Sequence, residues 1–326
     1  MLRLNMNSNK IKMEDALSKW LLSVYKKGAI SISRLKEQIY VIYKEKEYEG
    51  KRIERIRAHT EIKQKIYENY IYKLINIGII NKDKESDNGR FFLITPFTYF
   101  SHMELICAIY PYCYISYLSS MYFHGLTDRI PKTVYITSCD RITWKKKSIS
   151  EISERIRVQE SDDITKEFIP FFPVNNKILL TQEIEIKVSI TKNYIEPKEG
   201  ENGIRVQDIG DLFIDMLRKP NLCGGVEHVI SVFKEYANTF QRKIISRTNI
   251  VGSDIDKARI GFMLNTILGI DSPVIESWKK IAMNSRGGSR KLVSSNDFSD
   301  VYNDIWNISI NVEELEKYGK KNTSLG

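Results

Sequence analysis

Residues 60–95, TEIKQKIYENYIYKLINIGIINKDKESDNGRFFLIT, decide how the first third of the chain folds. In the first half of this stretch Ile62, Ile66, Tyr70 and Leu74 recur every four residues. Tyr67, Ile71 and Ile75 widen the stripe, and Gly78 stands where a helix would stop. This spacing predicts a helix opening near Thr60. After it, IINK and FFLIT are short apolar runs around a tip of Asp, Asn and Gly, which is hairpin chemistry, and Pro96 closes the second run.

Upstream, EDALSKWLLSVYKK (14–27) places Ala16, Leu17, Trp20, Leu21 and Val24 at helical spacing, with Gly28 as a stop. AISIS fits a short strand. Ser33 is the expected cap of a second helix, RLKEQIYVIY, with Leu35, Ile39 and Ile42 inward. The segment KEKEYEGKRIERIR (44–57) fits either an extension of that helix or a loop. Three helices followed by a hairpin predict a winged helix-turn-helix over residues 1–95, a fold whose third helix enters the major groove of DNA.

The charge distribution agrees. Residues 1–95 hold 20 Lys and Arg against 12 Asp and Glu. From chain totals of 50 and 41, residues 96–326 hold 30 against 29. A basic segment on a neutral body points to a polyanion partner for the segment alone. Glu61 and Glu68 share the solvent stripe of the third helix with Lys65, Asn69 and Tyr72, so phosphate contact is expected at its N-terminal end. There Lys51, Arg52, Arg55, Arg57, His59, Thr60, Gln64 and Lys65 are concentrated; Gln64 or Asn69 would reach a base edge, and Lys82, Lys84 and Arg90 would meet the backbone from the hairpin. A domain of this kind can also serve protein contacts or dimerisation.

The body, residues 96–326, reads as a larger mixed α/β domain with a mostly helical C-terminal part, giving an α+β chain. YISYLSSMYFH (114–124) fits a helix, KTVYITS a strand, and ILLTQEIEIKVSI (178–190) a strand with one wet face. No apolar stretch approaches the length of a membrane span. The opening MLRLNMNSNKIKMED carries no secretory apolar block, and Cys107, Cys113, Cys139 and Cys223 form no C-x-x-C pair, so a cytoplasmic protein with reduced thiols is expected.

Four stretches invite a chemical reading. RKPNLCGGVEHV (218–229) joins two helical patterns, so Cys223 is better a small apolar filler at a glycine corner than a nucleophile; His228 has no evident orienting partner. VGSDIDKARIGFML (251–264) has the ingredients of a nucleotidyltransferase site, but contiguous and leading into a helix, which makes Ser253 or Asp254 an N-cap. NSRGGSRKL (284–292), which could cradle a phosphate but lacks P-loop spacing, and WKKK (144–147) are basic segments; either could bind nucleic acid or nucleotide, and a solvated loop is the expectation for each. No Ser/His/Asp set and no metal-ligand spacing is present in the sequence, so neither catalysis nor a cofactor is expected.

The order of these pieces resembles the AbiEi family, the antitoxin and transcriptional regulator half of type IV toxin–antitoxin (abortive infection) modules. The resemblance lies in YISYLSSMYFHGLTDRIPKTVYIT, in IGDLFIDMLRKPNLCGG, in ARIGFMLN, in RGGSRKL and in the closing WNISIN, spanning roughly residues 97–311. It implies a DNA-binding N-terminal domain that represses its own operon at inverted repeats, self-associating on the double-stranded DNA. It also implies a C-terminal domain that counters a nucleotidyltransferase-like toxin, often without a stable complex. The 44–57 insertion and the long third helix depart from the family's compact winged domain. On charge and motif position, Arg218, Lys219, Arg286, Arg290 and Lys291 are expected to form an exposed basic antitoxin surface. The rival expectations are a nucleotide-dependent enzyme using SDID and RGGSR, and a DNA-binding accessory protein of another phage-defence system.

Overall fold

The computed structural model describes residues 9–56, 62–81, 90–97, 101–159, 163–179, 183–285 and 290–321. It is a mixed α+β protein with several small sheets, and the chain divides into two compact units: residues 1–114 with 132–205, and 115–131 with 206–326.

The first unit opens with β1 (Lys10–Ile11) and α1 (Met13–Trp20), which runs on through a π turn to Lys26 in the left-handed region. β2 (Ala29–Ser31) leads directly into α2 (Ile32–Glu45). The cap of α2 is Ser31, whose hydroxyl accepts from the Arg34 amide at 3.3 Å; the expected cap, Ser33, lies buried inside the first turn. The ambiguous 44–57 segment is neither of its two expectations. It holds a hairpin, β3 (Glu47–Tyr48) and β4 (Lys51–Ile53), turning at Glu49 and Gly50 with φ of 48° and 75°. Two successive positive φ values are what a type I′ turn requires, and glycine supplies the second without strain. β1 pairs in parallel with β4, giving the order β1-β4-β3.

α3 (Gln64–Asn76) begins, within the described residues, four residues after the expected start; Thr60 and Glu61 lie outside them. Tyr67, Ile71 and Leu74 are its buried stripe, as the periodicity requires. β5 (Ile80–Asn81) and β6 (Phe91–Ile94) follow, and β6 sits between β2 and β5 in an antiparallel sheet with Ile30 opposite Phe92 and Ile80 opposite Ile94. The polar tip 82–89 lies outside the described residues.

α4 (His102–Ile109) carries a reciprocal capping box between Ser101 and Glu104. Its C-terminal carbonyls receive the buried Arg205: Nη2 donates to Cys107 O and Tyr110 O, both at 2.7 Å, and Nε to Cys113 O at 2.9 Å. The helix expected over 114–124 is shorter. Cys113–Ile115 is β7, whose burial alternates in, half, in, and only α5 (Tyr117–Phe123), which belongs to the second unit, is helical. β8 (Thr133–Cys139) leads to α6 (Arg141–Ile156), capped by Asp140. WKKK therefore lies within the first turns of α6 and not in a loop, with Trp144 buried against the rings of Tyr112 and Phe172. β9 (Asn176–Leu179) and β10 (Glu183–Thr191) replace the single strand expected over 178–190, because Ile178 and Leu179 fold back to pair with Ile184 and Glu183. The sheet order is β7-β8-β10-β9, with β8 and β10 parallel.

One core joins Met13, Leu17, Leu35, Ile39, Tyr67, Leu74 and Phe92 to Ile152, Ile156 and Phe168. The boundary expected between residues 95 and 96 thus does not separate two cores: Phe168 packs on the rings of Tyr40 (5.5 Å) and Tyr67 (6.2 Å). Glu37 of α2, 1% exposed, accepts from Arg155 of α6 at 2.6 and 3.1 Å and from Arg34 at 2.8 Å.

The second unit is mostly helical, as expected of the C-terminal part: α7 (Ile209–Arg218), α8 (Val226–Val251), α9 (Asp254–Gly261) extended by a π segment to Ile267, and α10 (Pro273–Asn284). β11 (Val301–Asn303), β12 (Ile308–Ser309) and β13 (Lys320–Lys321) form a small antiparallel sheet with β11 central. Phe213 and Phe233 meet edge to face at 4.9 Å across α7 and α8. Gly261 lets Trp306 lie against the backbone of α9, for a Cβ there would sit 2.2 Å from the indole ring.

Candidate functional site

On α3, Gln64, Lys65, Glu68, Asn69 and Tyr72 are exposed on the face opposite its buried stripe. Their hydrogen bonding separates them. The Gln64 side chain accepts from Lys36 at 3.1 Å and donates to Glu68 at 3.1 Å, so both ends of its amide are engaged. Lys36 also lies 5.7 Å over the Tyr67 ring. Asn69 has no hydrogen-bond partner among the described residues. Of the two side chains expected to reach a base edge, Asn69 is thus the one with donor and acceptor both available.

Lys51 and Arg52 are exposed on β4, while Ile53 beside them enters the core, and Arg55 is exposed with φ of 62°. Lys51, Arg52, Arg55 and Lys65 make no ion pair among the described residues. Arg90 is half-buried, its guanidinium 4.9 Å over the Phe171 ring. Arg57, His59, Thr60, Lys82 and Lys84 lie outside the described residues. Lys36 was missed in the sequence because it sits outside the basic run of 51–65; its signal was its place on α2, one residue after the inward Leu35.

The bases of the second unit behave differently. Arg218, Arg290 and Lys291 are half-buried, and only Lys219 is exposed, so an exposed basic surface is not what these residues form. Arg218 grips Asp256 with two bonds, Nε–Oδ1 at 3.0 Å and Nη2–Oδ2 at 2.6 Å, and reaches Asp215 at 3.3 Å. Lys219 donates to the Tyr117 hydroxyl at 3.0 Å and lies 5.3 Å over that ring. Arg290 Nη2 donates to Asp254 O at 2.8 Å, and Lys291 Nζ to Asn296 O at 2.7 Å while lying 5.3 Å over Phe298. Arg286 lies outside the described residues.

The SDID stretch is a helix start. Ser253 and Asp256 form a capping box on α9, and Asp256 is 3% exposed. Burial would raise the Asp256 carboxyl, but the bonds from Arg218 and Ser253 outweigh it and hold it below the ordinary value. At the glycine corner, Pro220–Cys223 is a 3-10 turn and Gly224 and Gly225 take φ of 89° and 97°. Cys223 is fully buried, and burial pushes its thiol well up, the behaviour of a packing residue. The closing WNISIN is also architectural: the Asn311 side chain accepts from Val293 N at 3.0 Å and donates to Val293 O at 2.8 Å, pinning the segment after Lys291. Among the described residues no cluster of three or more His, Cys, Asp and Glu could hold a metal ion, and no helix is long and apolar enough to cross a membrane.

A second residue that sequence reasoning passed over is Arg259. It is 8% exposed, one turn along α9 from Asp256, and its Nε donates to Lys291 O at 2.9 Å. A scan against protein-family models finds no match for this chain, and a search of curated proteins finds no relative.

Proposed function

We propose that the protein is a non-enzymatic, DNA-binding repressor and antitoxin, acting on duplex DNA through its N-terminal helices and countering a nucleotidyltransferase-like toxin through its second half. The fold order supports the first part. α1, α2 and α3 are followed by the β5–β6 hairpin, and β2 closes the sheet in the order β2-β6-β5, the succession expected of a winged helix-turn-helix. α3 would be the recognition helix, with Lys51, Arg52 and Lys65 on phosphates and Asn69 on a base edge, in two copies on an inverted repeat. The single observation that carries this reading is that Lys51, Arg52 and Lys65 are exposed and unspent in ion pairs among the described residues. Cations in that state release counterions from a polyanion. The antitoxin part rests on the AbiEi-like motifs alone. The rival enzyme reading draws on Asp254 and Asp256, yet Asp256 is enclosed and committed to Arg218.

The test is binding of the full chain to the DNA upstream of its own operon, measured by fluorescence anisotropy across a salt series. Replacing Lys51, Arg52 and Lys65 together by Ala removes three phosphate contacts. The slope of log affinity against log salt should flatten by about 2.7, and affinity at 0.1 M salt should fall on the order of several hundredfold. An unchanged slope would remove these residues from the interface and the reading with them.

A further inference from the structure

We propose that the first unit holds a binding site for a small carboxylate, in a cavity walled by α2, α4, α6 and the turn at Asp163–Phe168, with Arg205 as the cation that receives it. The cavity measures about 130 Å³. Pockets for drug-sized ligands start at about 300 Å³, so the occupant is a smaller molecule. The site is independent of the DNA-binding reading.

Four cations line the cavity, Lys27, Arg34, Arg155 and Arg205, against two acids, Glu37 and Glu151. Both acids are already engaged. Glu37 accepts from Arg155 at 2.6 and 3.1 Å and from Arg34 at 2.8 Å. Glu151 accepts from the Tyr112 hydroxyl at 3.0 Å and from Arg155 at 3.3 Å. Lys27 reaches beyond the lining to Glu199 at 2.6 Å. Three cations are thereby matched by three carboxylates, and Arg205 is left over. It is 5% exposed and makes no ion pair among the described residues; its hydrogen bonds run to the backbone carbonyls of Cys107, Tyr110 and Cys113. Carbonyl dipoles hold a guanidinium in place but leave its net charge uncompensated, and an enclosed charge without a counter-charge is costly. One negative charge in the cavity closes the balance. A second would overshoot it and meet Glu37 and Glu151.

The rest of the lining selects what carries that charge. Ala108, Pro111, Phe168 and Pro170 give an apolar side. Ser31 and Ser33, both buried with their hydroxyls 3.2 Å apart, supply rotatable donors for a carboxylate oxygen. A carboxylate on a small apolar body matches both sides, and the planar fork of arginine fits carboxylate geometry.

The probe is sodium benzoate, titrated calorimetrically into the full chain and followed in parallel by thermal unfolding, with sodium chloride at matched ionic strength as reference. Benzoate is expected to raise the unfolding temperature beyond chloride. Benzamide, its uncharged counterpart of similar shape, and inorganic phosphate should each bind at least about tenfold more weakly. Ala108→Leu narrows the cavity without touching a charge, and Arg205→Gln removes the surplus cation; each should weaken benzoate by at least about tenfold. The triple Ala variant at Lys51, Arg52 and Lys65 should keep the wild-type affinity, which separates failure of this site from failure of the DNA-binding reading. Equal shifts with benzoate and chloride, benzamide binding as tightly as benzoate, or wild-type benzoate affinity in Ala108→Leu overturns the site. Phosphate binding as tightly as benzoate overturns the choice of a carboxylate. Should Arg205→Gln fail to fold for want of its three carbonyl bonds, Ala108→Leu and the benzamide comparison decide.

Discussion

Phe168→Ala tests whether the N-terminal helices stand on a core of their own. Phe168 ends a 3-10 turn, Asp163–Phe168, some seventy residues beyond the hairpin strand β6, yet it is 1% exposed and lies against Tyr40 of α2 and Tyr67 of α3. Truncating a fully buried phenylalanine costs about 3–5 kcal/mol, the removed burial plus the cavity left behind. The upper half of that range applies, because the aromatic contacts with Tyr40 and Tyr67 are lost as well. Amide hydrogen exchange followed by mass spectrometry locates the loss. If α2, α3 and α6 open as one cooperative unit, peptides from 32–45 and 64–76 should exchange roughly a thousandfold to several thousandfold faster under conditions where exchange reports stability. The reasoning fails if the variant speeds exchange only around 163–168 and leaves α2 and α3 as in the wild type. In that case residues 1–95 would be a self-sufficient domain after all.

Two further outcomes follow from single contacts. Gly261→Ala forces a methyl into the Trp306 ring, so it should cost about 1–3 kcal/mol from overpacking and displace the indole from its 3.0 Å bond to Thr266, read as a lower urea midpoint and a shifted tryptophan emission. His124 has its pKa held below the ordinary 6.5 by burial, while its 2.8 Å bond to Gln207 O and the nearby Asp208 oppose the shift. Between the folded and unfolded pKa values the unfolded chain therefore binds a proton that the folded chain does not. Stability should fall as pH drops through 6.5 and level off below the folded value. His124→Gln should flatten that part of the pH–stability profile, and an unaltered profile would show that His124 does not contribute to it.

Much of the helical framework was legible because burial on one face writes itself into the sequence at a period of 3.6. Tyr67, Ile71 and Leu74 on α3, and Phe213, Met216 and Leu217 on α7, are buried where that period puts them. What stayed hidden depends on partners far away in the chain or on backbone angles. The hairpin at 47–53 was unreadable since KEKEYEGKRI has no apolar alternation; its turn is set by a positive φ at Glu49, a residue without turn preference. Ser31 caps α2 instead of Ser33 because the backbone is still extended at Ser31 and already helical from Ile32 onward. The shared core needed Phe168, whose flanking prolines and charges give no periodic signal. Arg218 and Asp256 are 38 residues apart in sequence, and nothing local links them.

The same distinction applies to net charge, which counts ionised groups without regard to where folding puts them. Charge counting assumes that each ionised group faces water. Lys51, Arg52 and Lys65 do, so an excess in the count is an excess at the surface and can be felt by a polyanion. Over residues 96–326, 30 bases nearly cancel 29 acids, a sum that looks inert. Folding then sorts those charges: Asp211 goes to Arg247 and Asp256 to Arg218, while Arg259 is drawn into the helix packing by its neighbours Ala258 and Ile260 with no acid reserved for it. A neutral total is compatible with a local cationic excess wherever burial, rather than solvent, decides which partner a charge keeps. The enclosed arginines are also less screened by salt than the exposed lysines.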